Sequence, residues 1–348
     1  MDLFTCDYTE GCHPRILEAL GRTNLEQTSG YGTDSHCARA ADLIHQACEA
    51  PNSAVHFLVG GTQTNMTVIA ALLRPYQGVL CADSGHINVH ETGAVEASGH
   101  KVLALPGCQG KITAAQIQAT AEAHRKDQSA EHTVQPGMVY LSHPTEYGTL
   151  YTKAELEAIS QVCVENNLLL FVDGARMGYG LTADGADVTL PDLARLTDVF
   201  YIGGTKVGAL FGEAVIFRDP NLSPCFRYMI KQRGGMLAKG RLLGIQFECL
   251  FEDGLYYQLG HHANALAYRV RDIFRSAGCP LLFDSPTNQQ FPILSNAAYE
   301  VLSQHVRGEF WQQVDDTHSA YRFCTSWATS PEAVDRLEQA VKKIGTLY

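Results

Sequence analysis

Lys206 lies in the stretch DVFYIGGTKVGALFGE (198–213), where its neighbours are apolar or glycine except for Thr205 and the two ends. An amine held among apolar groups has a lowered pKa and becomes a usable nucleophile. Such an amine forms a Schiff base with a carbonyl compound. A lysine at a strand end with its head in water would fit the same window, so its meaning depends on what else the chain brings.

Three further stretches carry chemistry. FLVGGTQTNMTVIAALL (57–73) runs from an apolar strand through Gly61 and Thr62 into a helix. Free amides at a helix start, with a hydroxyl and a close glycine approach, can cradle a phosphate. There is no GxGxxG fingerprint and no Walker lysine, so a single phosphomonoester suits it better than a dinucleotide. LLLFVDGARMGYG (168–180) ends an apolar strand on Asp173, with Arg176 three residues on. A carboxylate there needs a cation. That cation is either Arg176 itself or a protonated ring nitrogen such as the pyridinium of pyridoxal phosphate. CADSGHINVHETGA (81–94) places His86 just past a strand end, where an imidazole can stack on a flat ring or move a proton. Glu91 follows five residues later. Each feature has a bland reading alone. Together they supply a phosphate cradle, a stacking histidine, a ring aspartate and a lysine in the order that lysine-bound pyridoxal 5′-phosphate requires.

The elements that must position these residues follow from hydropathy. Apolar runs at 54–59, 78–83, 101–106, 137–142, 168–173, 198–203 and 212–217 read as strands. Helices are expected between them, including 64–73 and 152–167. Strands apolar throughout and separated by helices indicate a mostly parallel sheet covered on both faces. Chemistry collects at the carboxyl ends of such strands. After about residue 218 the pattern changes to long helical stretches at 226–252 and 255–277, short strands at 289–294 and 320–327, and a closing helix at 330–344. The division expected is an N-terminal segment and large cofactor-binding α/β domain over 1–225, with a small C-terminal α+β domain over 226–348.

Composition narrows the partners. A net charge of -11 argues against nucleic acid and anionic membranes. Eleven cysteines without CxxC spacing fit a reducing compartment better than a disulfide framework. The N-terminus lacks the features of a signal peptide, and no run approaches a membrane span. A cytoplasmic protein is expected, with no metal site.

The motifs GGTQTN, GHINVHETGA, VDGARMGYG and GGTKVGALFGE resemble the low-specificity L-threonine aldolases, within the fold-type-I pyridoxal-phosphate group that includes the β-eliminating lyases. The resemblance runs from SGYGTD (29–34) to YRFCTSW (321–327). It implies an α/β fold-type-I architecture with Lys206 as the cofactor lysine after Thr205. Asp173 stands at the ring nitrogen, His86 stacks with Glu91 nearby, and Gly61 and Thr62 take the phosphate. Arg176, Arg322 and Tyr31 are implied to face substrate, Arg176 also touching cofactor. The chain departs from the family's pattern at Cys6-Asp7-Tyr8, where a Ser-Asp-Thr segment is usual. It departs again at SHPTEYGTLY (142–151), where Glu146 or His143 replaces a substrate-contacting histidine. In KQRGGMLAKGR (231–241), Leu237 takes a usual arginine position, leaving Lys231, Arg233 or Lys239 for contact with the phosphate, in the same or a neighbouring subunit.

The activity implied is cleavage of a threonine-like β-hydroxy-α-amino acid to glycine and an aldehyde. It would run through the Lys206 Schiff base and retro-aldol Cα–Cβ scission, with His86, Glu91 or Glu146 as base. The alternatives are a pyridoxal-phosphate β-eliminating lyase or aminotransferase acting on a small amino acid, and a catalytically silent cofactor-binding module. The family likeness further implies a homodimer or homotetramer acting on a small-molecule amino acid.

Overall fold

The computed structural model describes residues 1–344. In chain order its strands are β1 (Asp2–Leu3), β2 (Ala54–Leu58), β3 (Gln77–Ala82), β4 (Val102–Leu105), β5 (Gln135–Ser142), β6 (Leu169–Asp173), β7 (Val199–Gly203) and β8 (Glu213–Phe217). They are followed by β9 (Gln289–Gln290), β10 (Ile293–Ser295), β11 (Val306–Arg307), β12 (Glu309–Gln313) and β13 (His318–Cys324). Helices α1 (Pro14–Arg22), α2 (Ser35–Ala47) and α3 (Gly61–Leu72) precede or interrupt the first strands.

The large sheet has seven strands in the order β2-β8-β7-β6-β5-β3-β4. Strand β8 alone runs against its neighbours β2 and β7. All seven strands expected between residues 54 and 217 form part of it. Because side chains alternate along a strand, each strand feeds two cores. Leu80, Val139, Leu170, Phe200 and Ile216 enter one apolar cluster. Val79, Met138, Phe171, Val199 and Val215 enter a second cluster on the opposite face, with Val68 and Ile69 of α3. Burial of both faces is why no polar alternation appears in these runs.

The smaller sheet runs β10-β13-β12, with β9 also on β13. It packs with the helices Leu255–Ser276 and Pro331–Ile344 around Phe274, Phe323 and Leu337. The helix Leu255–Ser276 ties the two cores together. Leu255, Leu259 and Ala263 face the large one, while Leu266, Val270 and Phe274 face the small one. The chain start also crosses over, since β1 pairs in parallel with β11.

The second half differs from its pattern in several places. The stretch 226–252 is not one helix but two, Phe226–Gln232 and Arg241–Phe251. Between them Gly234 adopts φ +74° and ends the first. The apolar run 289–294 is split into β9 and β10 around Phe291 and Pro292, because proline cannot donate to a ladder. Strand β12 gave no period-2 signal because it is largely exposed on both sides. Among the described residues no helix is long and apolar enough to cross a membrane.

Candidate active site

The candidate residues gather at the carboxyl edge of the large sheet. Odd-numbered positions of β6, β7 and β8 face α3, so Asp173, Tyr201 and Glu213 project to the same side as the α3 N-terminus. Gly60 caps α3 without any side-chain hydrogen bond to the first turn. The start of this twelve-residue helix is therefore left open toward the cavity, where its positive dipole end favours an anion. A Cβ on Gly61 would come within 3.2 Å of Tyr201 Oη, so the turn is tight as well as open.

Lys206 lies just beyond β7. Gly203 N donates to Gly174 O at 2.9 Å, and a side chain on Gly203 would overlap the Ala175 backbone. Glycine here lets the turn after Asp173 and the turn carrying Lys206 meet backbone to backbone. Burial and the Arg176 guanidinium push the Lys206 amine below its ordinary pKa, partly opposed by Asp7, Asp173 and Glu213. The Tyr8 ring centroid stands 5.8 Å from Lys206 Nζ.

Behind the site runs a buried polar chain. His86 Nδ1 and Glu91 Oε1 are 2.7 Å apart. Asn65 Nδ2 donates to Glu91 Oε1 at 2.7 Å and to Asp173 Oδ2 at 3.0 Å. Tyr140 Oη donates to the same Asp173 oxygen at 2.6 Å, and Ala175 N donates to Oδ1 at 2.9 Å. Burial alone would raise the Asp173 pKa. The charge of His86 and the donated hydrogen bonds overcome it and hold the carboxyl below its usual range. Asn65 lay inside the GGTQTN motif and Tyr140 inside an apolar strand. Only their register against Asp173 reveals what they do.

Glu146 lines the cavity beside Lys206, and its Oε1 accepts from Ser142 Oγ at 2.6 Å and from His86 N at 2.9 Å. Burial raises its pKa above the ordinary carboxylate value. His143 is buried, is pushed down to about 4 by burial, and is not among the cavity-lining residues. Of the two alternatives in this segment, Glu146 is the one that faces the cavity.

Arg176 Nε and Nη2 donate to both oxygens of Asp7, at 2.7 and 3.0 Å. Burial would raise the Asp7 pKa, but Arg176 and Lys206 hold it at about 2. The Cys6-Asp7-Tyr8 segment thus supplies the cation partner's counter-charge. Arg322 Nη2 donates to Thr5 O at 3.1 Å and pairs with Glu309, while its Nε has no hydrogen-bond partner among the described residues.

Two cavities share Tyr8, His86, Glu146, Arg176 and Lys206. The inner one, of about 330 Å³, holds Gly60, Gly61, Thr62, Asp173, Thr205 and Glu213. The outer one, of about 750 Å³, holds Arg322 and the aromatic rings of Tyr147, Phe310 and Trp311. Tyr31 does not join them. It lines a separate cavity with Arg227 and Met236, its ring 4.5 Å from Lys231 Nζ.

Glu213 escaped the sequence reading, although it ends the stretch that singled out Lys206. The signal available was an acid heading the otherwise apolar run 214–217. Its Oε1 lies 2.9 Å from Thr205 Oγ1, and its Oε2 accepts from Gly204 N at 3.1 Å. Burial pushes its carboxyl up to about 8, against the lowering effects of Thr205 and Lys206.

Residues 2–296 match the model of the beta-eliminating lyases. The chain belongs to that family. Among its relatives is a low-specificity L-threonine aldolase of Pseudomonas aeruginosa, 32% identical over 345 residues, which are 98% of this chain and 97% of the other. The structure of Leishmania major threonine aldolase superposes with a TM-score of 0.96 at 45% identity, covering 99% of this chain and 100% of that one. Cystalysin from Treponema denticola, whose structure contains pyridoxal 5′-phosphate, shares the fold at a TM-score of 0.71 and 15% identity. This member of the lyase family thus has the α/β architecture of the fold-type-I enzymes.

The inner cavity fits a phosphorylated pyridine aldehyde. The uncapped α3 N-terminus suits its phosphate, the ionised Asp173 its ring nitrogen, and the amine of Lys206, lowered in pKa, its carbonyl.

Proposed function

We propose that the chain uses pyridoxal 5′-phosphate to cleave a β-hydroxy-α-amino acid of the threonine type to glycine and an aldehyde. The observation that carries this reading is the joining of the two cavities at Lys206, one built for the cofactor and the other lined by a carboxylate and an arginine for a hydroxy amino acid. The cofactor supplies a carbonyl that couples to an amine and a conjugated ring that takes up the electron pair of the broken bond.

The chain's own residues do the rest. Gly61, Thr62 and Thr205 would hold the phosphate, and Asp173 would keep the ring nitrogen protonated. His86 covers the ring, fixed through Nδ1 by Glu91. Asn65 places one N–H₂ group between the two buried carboxylates and keeps Glu91 and Asp173 apart. Arg322, which lines the outer cavity, would hold the substrate carboxylate. Arg176, engaged by Asp7, backs the ring and reinforces that charge. Fixing the carboxylate would set the orientation of the substrate in the cavity, and orientation is the protein's main contribution.

Glu146 takes the proton of the β-hydroxyl. A carboxylate with a raised pKa is a stronger base than an ordinary one. Tyr147, Phe310 and Trp311 form the wall for the β-substituent and have room for groups larger than methyl.

We also assign a homodimer, or a tetramer built from two. Leu25 and Tyr228 are 92% and 78% exposed, large apolar side chains that a partner chain would cover.

The test is the pairing of products. L-threonine should give glycine and acetaldehyde in equal amounts, whereas a keto acid with ammonia would favour β-elimination.

A further inference from the structure

Glu213 has no part in the function proposed above, yet it stands in the wall of the phosphate end of the cavity. It is buried, no cation among the described residues forms an ion pair with it, and its hydrogen-bond contacts are the hydroxyl of Thr205 and the amide of Gly204. Thr205 is equally confined. Its Oγ1 accepts from Gly212 N at 3.0 Å and lies 2.9 Å from Glu213 Oε1.

A threonine hydroxyl has one hydrogen to donate and two lone pairs to accept with. The Gly212 amide uses one lone pair, leaving one hydrogen and one lone pair for Glu213 and for whatever enters the cavity. If Glu213 is ionised it can only accept, so Thr205 must spend its hydrogen there and shows a lone pair to the cavity. If Glu213 carries a proton it can donate to Thr205, and the threonine hydrogen is released toward the cavity. A phosphate oxygen is attracted in the second arrangement and repelled in the first.

We propose that protonated Glu213 sets the hydrogen-bond polarity of Thr205, making it a donor to the cofactor phosphate, and that ionising Glu213 reverses this polarity and loosens the phosphate. The inference rests on the reading of the inner cavity as a pyridoxal-phosphate site. Glu213 is a positioning residue that acts through Thr205. The groups that face it are Lys206 and Asp173 across the cavity, Tyr201 on β7 and Tyr256 on the helix Leu255–Ser276. On β2, His56 lies opposite Val215, and its own pKa is lowered to about 4, so it stays neutral above that. Burial dominates this environment and favours the protonated acid up to about pH 8.

The test uses pyridoxine 5′-phosphate, which has no aldehyde and cannot couple to Lys206, with pyridoxine as the control without a phosphate. Dissociation constants are measured by fluorescence between about pH 7 and about pH 10, where the phosphate stays a dianion. Wild-type affinity should fall with rising pH by about tenfold more than that of Glu213→Gln, whose amide can donate to Thr205 at every pH. Thr205→Val should bind weakly and lose the extra slope. Pyridoxine should show no difference among the three. Superimposable profiles for wild type and Glu213→Gln, or a wild-type slope retained by Thr205→Val, would overturn the proposal. Failure of wild type to bind pyridoxine phosphate better than pyridoxine even at pH 7 would overturn the cofactor reading beneath it.

Discussion

At the residue scale the account divides labour between Glu146 and Arg322. Replacing Glu146 by Gln removes the proton acceptor without changing shape, and kcat should fall by about 10²- to 10⁴-fold. In the wild type, kcat/KM should decline as pH falls through the raised Glu146 pKa, because only the ionised carboxyl accepts a proton. The Gln variant should lose that acidic limb. Stopped assays of aldehyde release across pH check both points. Arg322→Ala should act mainly on binding, raising KM by about tenfold to a hundredfold through the loss of charge-assisted hydrogen bonds. An unchanged KM would move the carboxylate clamp elsewhere. Lys206, Asp173, His86 and Arg176 were legible in the sequence because each is a polar residue closing an apolar run or opening the turn after one. Asn65 and Tyr140 were not, since their shared partner Asp173 is distant in sequence and is met only through the fold, whereas Glu213 was passed over although its partners Gly204 and Thr205 lie in the same stretch.

At the element scale the site depends on two turns pressed together and on a tethered N-terminus. Gly203→Ala would force the Lys206 turn off the Ala175 backbone, at a cost of about 1–3 kcal/mol. Thermal unfolding should report that loss, accompanied by weaker cofactor retention. The tether is Asp7 on Arg176. Its carboxyl is held at about 2 in the folded chain against an ordinary 3.8, so it contributes roughly 2 kcal/mol above about pH 4. Because the folded pKa is the lowered one, this contribution is present at neutral pH and fades as pH falls from about 4 to about 2. The stability gap between wild type and Asp7→Asn, followed by denaturant titration, should close over the same range. The seven main strands could be read directly because both faces of that sheet are covered and the runs are unbroken. The C-terminal sheet could be read only in part. The strand expected at 320–327 is β13, but the one at 289–294 is split at Pro292, and β12, exposed on both sides, left no signal.

At the scale of the whole molecule, two sheets share the long helix Leu255–Ser276, and the substrate cavity lies where β12 and β13 meet the edge of the large sheet. The exposed side chains of Leu25, Tyr31 and Tyr228 should be covered in solution. Light scattering should give a mass at least twice that of the 38.0 kDa chain. A monomeric mass at micromolar concentration would remove the assembly from the account. The central claim is that Lys206 is the carbonyl-binding amine of this cavity. Borohydride reduction of the cofactor-loaded protein, followed by peptide mapping, tests it most directly. The account predicts a single modified lysine, Lys206, protected from modification when L-threonine is present in excess. A label on another lysine, or none at all, would contradict it.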